Sequence, residues 1–325
     1  MSARAQAPDD TAQAYLRFAE NEARDRSPLY EAVARHVAGD GDILQFLMTL
    51  PKPKRQPNLL LAAVRLLRGT AVDGSDFRRR LFADSGEVRD LMLRRSTQTN
   101  EPARCAALLP ALAALPQPLA LVEVGASAGL CLLPDFYGYD YGRRRIEPPT
   151  AEAPVFRCSV NPQTPLPCTA PEIVWRAGLD LNPLDVADAQ DRAWLEALVW
   201  PEQSARLEGL RRAMTIAQQA KPRVVQGDLR HDLPAVVSQA PRNATRVIFH
   251  TAVLGYVAPP AERQVFATDA QRLADFWVAN EGPGVFPDIS RQAGPARSGF
   301  VLSVNGRPVA WTEPHGASLD WIASD

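Results

Sequence analysis

Lysine is scarce in this chain, confined to Lys52, Lys54 and Lys221, so the basic charge rests almost wholly on arginine. Nothing functional follows from that preference. A basic excess is missing as well: 36 Lys and Arg stand against 37 Asp and Glu, for a formal charge of -1. Phosphate binding is normally carried by a basic surface, so composition gives no reason to expect a nucleic acid partner. No apolar run is long enough to span a bilayer. The opening stretch from Met1 to Ala14 is polar and broken by proline, without the apolar centre of a signal peptide. The expectation is a cytoplasmic protein with no membrane partner. Cysteine is sparse too: Cys105, Cys131, Cys158 and Cys168 lie far apart, without the two-residue interval of zinc or thioredoxin-like motifs. Buried free thiols, and no metal, are expected.

What is present suits a globular α/β protein. The 325 residues, 46% of them apolar, are enough for one large domain or two ordinary ones. From Thr11 to about Leu115 the strong signals are helical. Ser27-Pro28 is an N-cap followed by a first-turn proline, with Leu29, Val33 and Val37 at helical spacing behind it. A helix over 42–50 is stopped by Pro51, and 59–67 is apolar enough to be a buried helix. Ser96 to Pro102 is a polar break, read most simply as the cap of the next helix by Thr99 or Asn100. The alternative is that Gln98 and Asn100 line a ligand site.

Everything downstream is organised around 119–130, Leu-Ala-Leu-Val-Glu-Val-Gly-Ala-Ser-Ala-Gly-Leu. Its first half reads as a buried strand and its second as a tight glycine turn, where backbone can approach a ligand closely. A Pro-rich insertion over roughly 134–170 follows, with Tyr137, Tyr139 and Tyr141 at period two beside Arg143 to Arg145. An aromatic row beside arginines can stack bases, but a half-buried strand explains it better. Strands then recur at 173–180, 223–229, 246–250 and 276–282, separated by helical stretches. A hairpin with an Asn305-Gly306 turn closes the chain. In open α/β sheets ligands sit at the C-terminal ends of strands, where Asp180, Asp228 and His250 would meet.

Two chemistries compete for the turn. Gly125-Ala126-Ser127-Ala128-Gly129 matches the serine hydrolase elbow, with Asp288 and His315 available for a Ser, Asp, His order. That elbow normally follows several strands, whereas everything upstream here reads as helix, and Glu123 has no part in it. A nucleotide loop of the form acidic-x-G-x-G-x-G fits at every position except Ser127, a small substitute for glycine. Asp180 stands farther from the turn than the usual interval of about 20 residues, an excess the insertion accounts for.

Glu123 to Gly129, Gly178-Leu-Asp180, Gly227-Asp228 and Val247 to His250 are similar, in order, to the core motifs of class I methyltransferases. More closely, the chain resembles the bacterial domain-of-unknown-function 2332 family. The segments that carry this are Gln98-Thr-Asn-Glu101, the run from Val124 to Leu130, Arg176 to Pro183, Trp200-Pro-Glu-Gln203 and Asn280-Glu-Gly-Pro283. That resemblance places Asn where this chain has Cys131. It implies a Rossmann-like methyltransferase sheet, mostly parallel with a C-terminal antiparallel hairpin, at 118–325, behind a helical N-terminal cap at 1–117. It also implies S-adenosylmethionine as cofactor and an unidentified acceptor as partner. Glu123, Gly125, Ala126, Ser127 and Gly129 would then lie along the methionine and ribose part, Asp180 and Leu181 at the ribose hydroxyls, and Asp228 with Leu229 at the adenine. His250 is the first candidate for general base, because histidine is the side chain naturally suited to proton transfer near neutrality and this one stands at a strand end, with Tyr256 and Glu281 next; Asn280 would line the site. A non-catalytic nucleoside-binding module and the serine hydrolase are the alternatives.

Overall fold

The structure is a computed structural model that describes residues 6–98, 100–295 and 299–322. Contacts divide the chain into two compact units, Met1–Thr99 with Asp188–Leu207, and Asn100–Ala187 with Glu208–Asp325. The division expected after residue 117 thus falls at residue 99, and the helix Arg104–Ala113 belongs with the sheet. Among the described residues no helix is long and apolar enough to cross a membrane.

The first unit is helical. Ser27 caps Pro28–Gly39 as its sequence implies, its hydroxyl accepting the Tyr30 N–H at 3.1 Å. The Trp200 to Gln203 segment locks this unit. Glu202 accepts the Ser27 hydroxyl at 2.8 Å and the Leu29 N–H at 3.1 Å, while Trp200 stacks edge-on against Phe18 and Tyr30. A carboxylate at the first turn of a helix also suits the partial positive charge there.

The second unit is built on a nine-stranded sheet. Its strands, in chain order, are β1 (Leu119–Val124), β5 (Ser159–Val160), β6 (Ile173–Asp180), β7 (Arg223–Gln226), β8 (Thr245–Thr251), β9 (Phe276–Glu281), β10 (Phe300–Val304), β11 (Arg307–Thr312) and β12 (Ser318–Trp321). The insertion supplies β2 (Gly138–Asp140), β3 (Arg145–Ile146) and β4 (Val155–Arg157) as a separate small sheet. The order is β5-β12-β11-β10-β9-β8-β1-β6-β7, and β7, β6, β1, β8 and β9 run parallel. Asn305 and Gly306 both have positive φ, as the tight β10–β11 turn requires. β1 is buried at every residue, which fits a central parallel strand covered on both faces. From β1 the chain goes first to β6 and β7 on one side and later to β8 and β9 on the other. In open α/β sheets such a reversal, here between β1 and β8, is where ligands characteristically bind beyond the strand ends.

The three tyrosines of the insertion are buried, and their hydroxyls donate to the carbonyls of Leu130, Pro134 and Ala106. They are core, not a stacking surface. Cys105, Cys131 and Cys158 are buried thiols as expected, while Cys168 is exposed beside Arg144.

Candidate functional site

Side chains on a strand alternate between faces, and in-register neighbours share one. Glu123 pairs with Gly178 and Phe249, and Phe249 with Val278, so Glu123, Asp180, Thr251 and Asn280 project from one face. Val124, His250 and Ala279 are likewise in register, and with Glu281 they project from the other, against a core holding Leu179, Ile248, Phe266 and Trp277. The sheet therefore separates two groups that the sequence reading placed together.

On the first face, β1 ends in a turn stitched to the end of β6. The Gly125 N–H donates to the Leu179 carbonyl at 2.8 Å, and the Ser127 N–H to Asp180 Oδ2, also at 2.8 Å. Asp180 Oδ1 accepts the Asn182 N–H at 2.7 Å, and the Leu184 N–H closes on the Ser127 carbonyl. Gly125 has φ +72°, and a Cβ there would stand 2.3 Å from a Val253 methyl, so no other residue fits without displacement. Ser127 lies in the same left-handed region at φ +51°, where a side chain costs about 1 kcal/mol. It occupies a glycine's conformation with a hydroxyl attached. Ser127→Gly is expected to raise stability by up to about 1 kcal/mol in urea unfolding, leaving the turn intact.

Asn100 does not cap the next helix, whose N-cap is Ala103 without a side-chain bond. It clamps the turn: its amide donates to the Ala126 carbonyl at 2.9 Å and accepts the Leu130 N–H at 3.2 Å. Thr99, the other expected cap, lies outside the described residues. Gln98 belongs to the helical unit.

Two buried polar atoms flank this turn without a hydrogen-bond partner among the described residues, Glu123 Oε2 and Ser127 Oγ. Glu123 is 2% exposed. Burial, then the neighbouring Cys131 and Asp180, push its carboxyl well above the ordinary range, with Arg104 opposing them. Native proteins pair nearly all buried polar groups, so an orphan at the end of β1 and a second on the turn that follows it call for an explanation.

On the other face His250 is fully buried. Its Nε2 accepts the Trp277 indole N–H at 3.0 Å, and its Nδ1 lies 2.7 Å from Glu281 Oε1. Indole only donates, so Nε2 carries the lone pair and Nδ1 the proton it shares with Glu281. Neither nitrogen is left for a substrate, which assigns His250 to holding Glu281. Glu281 Oε1 also accepts the Val253 and Leu254 N–H groups at 2.9 and 3.1 Å, fixing the loop on which Gly125 packs. Asn280 is engaged inside the sheet, with Thr312 at 2.8 Å and Thr251 at 3.4 Å.

The remaining candidates sit at the rim. Leu181 and Tyr256 are 60% and 75% exposed. Leu229 packs on the core, while Asp228 is bound by Arg230, which draws its carboxyl down to about 2. The hydrolase arrangement is not assembled: Ser127 Oγ has no partner, Asp288 pairs with Arg291, and His315 pairs with Glu313. Among the described residues no cluster of His, Cys, Asp or Glu could hold a metal.

Sequence reasoning missed Arg104 and the Glu313–His315 pair. Arg104 donates from Nε to the Pro314 carbonyl at 2.8 Å and from Nη1 to the Thr251 carbonyl at 3.2 Å, tying the β11–β12 turn to the end of β8. A single arginine in an apolar helix gives no local pattern from which that could be read.

Residues 12–321 match the model of a protein family described as "Uncharacterized protein conserved in bacteria (DUF2332)". No curated protein and no solved structure matches the chain.

Proposed function

The chain belongs to that bacterial family over residues 12–321, and we propose that within it the chain is an S-adenosylmethionine-dependent methyltransferase with a Rossmann-like sheet. The observation that carries this reading is the orphaned pair, Glu123 Oε2 near the end of β1 and Ser127 Oγ on the positive-φ turn after it, at the reversal of strand order. A buried carboxylate accepts an ammonium, a buried hydroxyl pairs with a carboxylate or hydroxyl, and both belong to the amino-acid end of that cofactor. Asp180 keeps lone pairs for ribose hydroxyls, since each oxygen takes only one backbone N–H. Leu181 supplies an exposed apolar surface for the base. Asp228 fits less well, because Arg230 already holds it. The cofactor carries an activated methyl group; the chain's part is to hold it against an acceptor, which alone can account for much of the acceleration. Calorimetry with S-adenosylmethionine and S-adenosylhomocysteine tests the reading, and no heat and no thermal shift at millimolar ligand sinks it.

The Glu123 carboxyl gives a sharper form of the test. Held well above its ordinary range when buried alone, it must lose its proton to pair with an ammonium. Binding of S-adenosylhomocysteine is therefore expected to release a proton, seen as a dependence of the heat on buffer ionisation enthalpy. Glu123→Gln should abolish the release and weaken binding at least tenfold. The same raised value makes folding proton-linked. Its contribution to stability is present below the unfolded value of about 4.3 and is lost as pH rises through the folded value. The melting temperature of the wild type should fall across that window, and that of Glu123→Gln should not.

A further inference from the structure

His250 has no nitrogen to offer, so an acceptor that must lose a proton needs another base. The turn between β11 and β12 contains one. Glu313 Oε2 accepts the His315 N–H at 2.7 Å and the Ala317 N–H at 3.3 Å, while Oε1 lies 3.2 Å from His315 Nδ1. Burial alone would raise the Glu313 carboxyl, but the His315 ring and these two N–H groups outweigh it and hold it at about 2. A carboxylate facing Nδ1 selects the tautomer with its proton there and leaves the lone pair on Nε2. Among the described residues nothing bonds to that Nε2, and the His315 side chain is 31% exposed.

The turn is placed by the segment that also holds the glycine turn. Asn100 binds Ala126 and Leu130, and four residues on Arg104 binds the Pro314 carbonyl. A Cβ on Gly316 would meet the Ala103 carbonyl oxygen at 2.2 Å, so the two backbones are in direct contact. β11 runs parallel to β9, being antiparallel to β10 as β9 is, so its C-terminal end lies at the same end of the sheet as those of β1, β8 and β9, with β10, β9 and β8 between it and β1. Thr312 shares the face of Glu123, as its bond to Asn280 records.

Resting on the cofactor reading above, we propose that His315, oriented by Glu313, is the residue that takes the proton of a hydroxyl or N–H acceptor during methyl transfer. The acceptor's lone pair forms the bond to the methyl carbon, the carbon–sulfur pair stays on sulfur as a thioether, and the acceptor proton passes to Nε2 and then to water. Among the described residues, charged and titratable groups tied to this turn include Glu313 within it, Arg104 from the helix that binds Pro314, and Cys158, whose segment pairs with Ala317 and which lies in the field of Glu313.

The test compares two probes that differ by one methyl group and one positive charge. S-adenosylmethionine and S-adenosylhomocysteine are first shown to bind by calorimetry. The ring proton resonances of His315, assigned by their loss in His315→Gln, are then followed against pH with each bound. A sulfonium beside Nε2 disfavours the charged ring, so the His315 midpoint should lie lower with S-adenosylmethionine by about one pH unit. His315→Gln should bind both probes within about threefold of the wild type. Two bound ligands with the same His315 midpoint overturn the proposal and leave the cofactor reading standing. A shift seen at His250 instead overturns it in favour of that residue, and the absence of any binding heat overturns both.

Discussion

Gly125→Ala is expected to cost roughly 2–4 kcal/mol in urea unfolding, the sum of a left-handed backbone on a residue with a Cβ and a methyl forced into Val253. At φ +72° the added carbon lies 2.3 Å and 2.7 Å from the two γ carbons of Val253. Val253 cannot retreat freely, because its N–H is held by Glu281 at 2.9 Å and its side chain packs on the core. Binding of S-adenosylhomocysteine should fall below detection in the same variant. Shortening the obstacle gives an internal control: Val253→Ala in the Gly125→Ala background should recover the steric part and leave the backbone part. If Gly125→Ala unfolds with the wild-type midpoint, the turn does not have the conformation described.

Asp180→Ala should have the second large effect, and it separates architecture from binding. The carboxylate accepts the N–H groups of Ser127 and Asn182 at 2.8 and 2.7 Å. Its loss leaves two donors without partners at a cost of about 1–3 kcal/mol each where they are buried, less where water replaces the carboxylate. Asp180→Asn keeps one acceptor and should retain about half of the stability lost. The cofactor reading adds a demand that stability alone does not make. Asp180→Asn should bind S-adenosylhomocysteine at least tenfold more weakly while remaining folded, because an amide oxygen cannot serve a ribose diol and a backbone N–H as a carboxylate does. Equal affinity for Asp180→Asn and wild type would remove Asp180 from the ligand site.

The layout of the sheet was legible because its signals are local. The short apolar run at 119–124, the capping Ser27-Pro28 and the Asn305-Gly306 turn each act within a few residues, and each produced the expected element. The side on which a strand-end residue projects was also contained in the sequence, since alternation fixes it once strands are paired. Pairing, however, is a long-range property. Reading Asp180, Asp228 and His250 as converging took account of where strands end and ignored their parity, so His250 and Glu281 were grouped with residues from which the sheet divides them. Asn100 was named as a candidate to line the site, but its clamping bonds, like those of Arg104, were illegible for a related reason: each acts through contacts to distant carbonyls, which leave no periodicity behind. The Asn100 to Arg104 segment looks like an ordinary helix entrance and works as a clamp.

Arg104 reaches across 210 residues to the Pro314 carbonyl, and this has a bearing on how the chain is made. Contacts of such separation form late, after the entropy of closing the intervening loop has been met, and in a growing chain they wait for the far partner to emerge. Until then the arginine sits in an apolar helix with its charge lacking the Pro314 carbonyl. The nascent sheet would therefore pass through a stage in which Asn100 can already hold the turn after β1 while the tie from Arg104 to the β11–β12 turn is still open. That stage ends only when the last hairpin arrives.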